Sequence, residues 1–175
     1  MSANLLQPEK IEIVDFKIIK GQINSPFDFE EEKVQGHNFN VNFELGFNIP
    51  DKLIKADFSV NVETKSEKQD GEEAIGAFSF VYVFHVDNIE ELTKLEEDNT
   101  VTISPALGNA LAAITYSTSR GILMTRFQGT ALSNFILPVI NPNKLIEQSF
   151  ILQKVYFVPF IVNIWDIFFN QIIRK

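Results

Sequence analysis

The chain has no cysteine, which excludes disulfides, thiol catalysis and cysteinyl zinc sites. Histidine is almost as scarce. His37 and His85 are the two in 175 residues, and neither stands in a spacing that suggests a metal. Basic residues are few: 15 Lys and Arg stand against 23 Asp and Glu, for a formal net charge of −8. Nucleic acid is therefore not expected as a partner, because phosphate binding needs clustered cations. No phosphate-binding loop and no G-x-S-x-G elbow occurs, and the serines have no base at a triad-like spacing. The acidic groups Glu30-Glu31-Glu32, Glu72-Glu73 and Glu96-Glu97-Asp98 fall in predicted loops. There they are solvated, whereas acid catalysis needs desolvated, opposed carboxylates. The residues predict neither an enzyme nor a metal or cofactor site. The opening MSANLLQPEK lacks a basic run followed by an apolar core, so a cytoplasmic address is expected.

What the chain does have is phenylalanine: 17, against one Trp and three Tyr. One small domain cannot centre that many rings in its core, so some are expected at a subunit interface or in a binding groove. Otherwise 45% hydrophobic and 22% charged residues describe one ordinary globular core. Four strand patterns come first. Ile11–Ile23 alternates through Glu12, Val14, Phe16 and Ile18. In 38–48, Phe39, Val41, Phe43, Leu45 and Phe47 alternate strictly with polar residues or glycine. Phe58, Val60 and Val62 repeat this within 56–65, and Asp70-Gly71 signals the next turn. The fourth strand, 74–86, is apolar on both faces, so its second face is expected to need a second subunit or a client. A short helix over 88–95 and a polar loop over 96–102 follow.

Ser104 and Pro105 then open the longest helical pattern, with Ser as cap and Pro at the first position. Gly108, Ala112, Ser119 and Gly121 give it small side chains suited to close helix–helix approach, which predicts an oligomer interface. Gly129 ends the pattern, Pro138 and Pro142 fix a crossover, and Asn141 or Asn143 can cap a second helix. The tail 155–173, VYFVPFIVNIWDIFFNQII, is long and apolar enough to suggest a membrane span. Pro159, Asn163, Asp166 and Asn170 share one helical stripe in it, and a central Asp costs about 2.5–3.5 kcal/mol in a bilayer. An amphipathic helix packed on the domain or a partner is the better account.

The run RFQGTALSNFILPVINPNKLI resembles the end of the long helix and the crossover of SecB-type export chaperones. Gly129 and Thr130 match the family's turn, and Leu137, Pro138, Val139, Ile140 and Asn141 match its Leu-x-Pro-Val/Ile-Asn segment, with one extra residue before the Asn. The resemblance covers roughly 11–150. It implies an α+β fold: a four-stranded antiparallel sheet with a long helix and a shorter second helix on one side. To this the chain adds the C-terminal amphipathic helix, dividing it into 1–153 and an extension, 154–175. The resemblance also implies a homotetramer, a dimer of dimers that holds unfolded polypeptides in apolar grooves without ATP. Phe78, Phe80, Tyr82, Phe84, Leu145, Ile146 and Phe150 are the candidate client-binding residues. Docking to the translocation ATPase is expected to be weak, since no acid lies between Asp15 and Asp28, and a dedicated toxin–antitoxin client fits instead. The alternatives are a small apolar-ligand domain with a closed cavity, or a client-free assembly module.

Overall fold

The structure is a computed structural model that describes residues 6–67, 73–96 and 100–152, with the side chains of 148–152 left aside. The expected helix at 154–175 and the Asp70-Gly71 turn lie outside the described residues. Four long strands, Ile11–Asn24 (β1), Val34–Asn48 (β2), Leu53–Ser66 (β3) and Ile75–Val86 (β4), form one antiparallel sheet in the order β1-β4-β3-β2. A short helix, Ile89–Leu92 (α1), leads to a small hairpin, Thr93–Leu95 (β5) with Val101–Ile103 (β6). The long helix Pro105–Arg126 (α2) and the shorter Asn143–Leu152 (α3) complete the α+β fold.

Alternation sets the buried face. Phe43 and Leu45 of β2, Ile54, Phe58 and Val60 of β3, and Phe78, Phe80, Tyr82 and Phe84 of β4 point to one side, where Leu107, Leu111, Ala112 and Leu123 of α2 meet them. In β1 the alternation breaks. Register shifts after Ile13 and after Ile18 insert an extra residue each time, so Val14 and Ile19 fall out of phase. Glu12 thus faces His85 on the far side of the sheet, while Phe16 and Ile18 lie opposite Tyr82 and Phe80 on the helix side.

The far side of β4 corrects one expectation. Val81 and Val83 are buried within the single chain. Val81 is flanked by Lys17 and Asp57, and Val83 by Asp15 and Lys55. Ion pairs Lys17–Asp15, at 3.3 Å, and Lys55–Asp57, at 2.8 Å, hold charged heads over that surface, and lysine stems can cover apolar neighbours. No second subunit is needed to bury these two valines. The expected helix over 88–95 is likewise cut short at Leu92, because Thr93–Leu95 pairs with Val101–Ile103 inside the expected loop.

Helix caps follow the sequence. The Leu107 N–H donates to Ser104 Oγ at 3.2 Å, and the Asn143 N–H donates to Asn141 Oδ1 at 3.1 Å. Gly129 takes φ 71°, where glycine is favoured, and Thr130 Oγ1 donates to the Phe127 carbonyl at 2.8 Å. This turn drives Leu132 onto β4 at Gly76, where an added Cβ would lie 2.6 Å from Leu132 Cδ1.

Candidate functional site

The residues after α2 run back along its flank, held by hydrogen bonds to backbone carbonyls. Arg120 Nε donates to the Leu137 carbonyl and Tyr116 Oη to the Pro138 carbonyl, both at 2.7 Å. Asn109 Nδ2 donates to Asn143 Oδ1, tying the start of α3 to α2. Burial raises the Tyr116 hydroxyl pKa against the opposing pull of Arg120, so it stays a proton donor across the neutral range.

This anchoring fixes which crossover side chains point in. Phe135 and Leu137 are buried. The Phe135 ring lies 5.5 Å from Phe39, 5.2 Å from His37 and 6.0 Å from Phe127, and Phe127 meets Phe78 edge-on. Ile136 and Val139 point out, 50% and 83% exposed, and Phe39, in contact with Phe135, is 43% exposed. The result is an apolar flank with an aromatic floor on the β2 side of the molecule. Next to it an open depression of about 310 Å³ is lined by Asn38, Phe39, Asn40, Asn61, Val62, Glu63 and Ile75. It is open, and the side-chain amides of Asn38, Asn40 and Asn61 are part of its lining.

A second apolar surface lies at the opposite edge of the sheet, along β1, where Ile13, Val14, Phe16 and Ile19 are exposed. Ile114, Thr118 and Ile122 stand two residues from Tyr116 and Arg120, hence on the α2 flank away from the crossover.

The candidate residues named from sequence fall mostly inside. Phe80, Tyr82 and Phe84 are fully buried, and Phe78, Leu145 and Ile146 nearly so. They are core in this structure, because α2, α3 and the crossover cover that face; the side chain of Phe150 is among those not described. Gly108, Ala112 and Ser119 are also internal. A Cβ on Gly108 would meet Ile103 and Ile146 at 2.9 and 3.1 Å, and Ser119 Oγ shares a 2.8 Å hydrogen bond with Tyr82 Oη. Their small size serves contact with the chain's own sheet and α3. Gly121 alone of the four is exposed, with open space around it. Phe39, Ile136 and Val139 were not singled out from sequence as binding residues. The strict alternation of 38–48 assigns Phe39 to the core, and the crossover has no period to read.

Among the described residues, no group of three or more His, Cys, Asp and Glu is placed to hold a metal. No helix among them is long and apolar enough to cross a membrane.

No family model and no curated protein matches the chain. Among solved structures it is similar to a SecB-like chaperone from Mycobacterium tuberculosis, solved in complex with a ChAD peptide from the HigA1 antitoxin. Identity is 17% and the TM-score 0.47, over 76% of this chain and 92% of that one. It is also similar to a protein of unknown function from Streptococcus agalactiae, at 12% identity and a TM-score of 0.30, over 74% of this chain and 97% of that one.

Proposed function

We propose that this chain is a SecB-like, ATP-independent holdase that binds unfolded polypeptide along the crossover flank of β2. The observation that carries this reading is the exposure of Ile136 and Val139 on the crossover, together with the exposed Phe39 that packs on Phe135 of the same crossover. Such a surface binds extended apolar segments by burial, at about 25 cal/mol per Å², without a catalytic group. The net charge of −8 keeps it soluble while the flank is empty. The crossover sequence, with its resemblance to the SecB family, supports the same reading.

In this reading the assembly is a homotetramer, the address is cytoplasmic and the protein is not an enzyme. The exposed β1 edge supports contact with a second copy, since an apolar edge strand left in water invites pairing. Weak docking to the translocation ATPase is supported by the sheet's far side, where Asp15 and Asp57 are already paired with Lys17 and Lys55. A dedicated client, such as a component of a toxin–antitoxin pair, fits better than general export. The test is solution mass measured together with suppression of aggregation of an unrelated unfolded protein, without ATP. A tetramer that suppresses aggregation at stoichiometric amounts is the expected result. A monomer with no suppression would sink the proposal.

A further inference from the structure

We propose that the tail, residues 153–175, occupies the crossover flank of its own subunit and is displaced when a client binds. The inference rests on the holdase reading of that flank and adds its regulation. Three observations carry it. The first is delivery: α3 packs on β2, the edge strand that carries the exposed Phe39, and ends at Leu152. At about 3.3 Å per extended residue, the 23 residues after Leu152 span up to ~75 Å, and the 15 residues of β2 span about 50 Å. The second is chemistry. Fourteen of those 23 residues are apolar, six of them aromatic, so the segment has the composition of the unfolded client it would imitate. The third is charge. Lys154, Arg174 and Lys175 against Asp166 give the tail +2, which leaves −10 on the rest of a chain whose net charge is −8. Attraction of opposite charge favours the tail's return to the body.

A groove filled nine-tenths of the time by its own tail binds a client about tenfold more weakly than an empty one. The absence of cysteine makes the test clean. Val139→Cys is combined, in the full-length chain, with a single cysteine at Phe157, Ile161, Trp165 or Phe168. At least one pair is expected to form a disulfide within one chain under mild oxidation, and a reduced, unfolded client peptide is expected to suppress it. Phe168→Asp with Phe169→Asp is expected to raise client affinity about tenfold. Disulfides only between chains, or none at all, would overturn the proposal and leave the holdase reading intact. A disulfide within the chain that no client suppresses, in a protein that still prevents aggregation, would place client binding elsewhere and overturn the competition. If the disulfide forms but no client binds at all, the holdase reading fails and the docking of the tail stands.

Discussion

Changing Ile136 and Val139 together to asparagine removes two apolar side chains from the crossover flank without touching the core. Fully burying a side chain of this size is worth about 1.5–3 kcal/mol. Weighted by their exposures of 50% and 83%, the pair offers a client about 2–4 kcal/mol. The cost of ordering the client is the same for both proteins, so this difference passes into affinity. At 1.4 kcal/mol per decade, the low end predicts about a 30-fold rise in Kd when both proteins carry Phe168→Asp with Phe169→Asp, so that release of the tail does not offset the loss. Titration of a fluorescent, permanently unfolded peptide measures it. Because both side chains already face water, thermal unfolding is expected to shift by no more than about 0.5 kcal/mol. The same variant weakens the proposed seat of the tail, so Trp165 emission is expected to move to the red before any client is added. Unchanged peptide affinity in a protein of unchanged stability would show that clients are not held on this flank.

Three further outcomes test the frame around the site. Ala112→Trp is expected to cost at least about 1–3 kcal/mol by overpacking, with no change in solution mass, because Ala112 is wholly buried; a lowered mass at unchanged stability would return Ala112 to a subunit interface. Tyr82→Phe and Ser119→Ala each remove one side of a buried hydrogen bond, and a double-mutant cycle is expected to give a coupling of about 1 kcal/mol; strict additivity would mean the hydroxyls do not pair. His37 has its pKa lowered by burial, and its Nε2 is buried without a hydrogen-bond partner in the structure. The folded state therefore binds fewer protons than the unfolded one. Its contribution is fully present above the ordinary value of 6.5 and is lost as pH falls below it. Denaturant titrations of wild type and His37→Phe are expected to diverge between neutral and mildly acid pH; parallel curves would refute this.

Period-two patterning made β2 and β3 legible, since one wet and one dry face leave a strict trace in residues such as Phe39 to Phe47, while β4 showed as a continuous apolar run. In β1 the same rule misleads. Glu12, Val14, Phe16 and Ile18 look like one face, yet the bulges at Val14 and Ile19 shift the phase, and an inserted residue leaves no mark in composition. The small residues of α2 were legible as close contact. Sequence could not say which backbone comes close: at Gly108 the neighbours are Ile103 and α3, and at Ser119 the neighbour is Tyr82.

The proposed binding flank was hidden for a different reason. Aromatic alternation reports burial, so Phe78, Phe80, Tyr82 and Phe84 stood out in the sequence because they are the floor of the core. A binding surface must instead place apolar side chains in water, and the chain does so in the crossover, at 136–140. An extended segment there has no helix or sheet ladder to impose a repeat. Which of Ile136, Leu137, Val139 and Ile140 turns outward is decided by two hydrogen bonds to carbonyls, from Arg120 to residue 137 and from Tyr116 to residue 138. Those two bonds orient the backbone so that Leu137 points in and Val139 points out. Arg120 and Tyr116 of α2 thereby determine which apolar side chains of the crossover face the solvent.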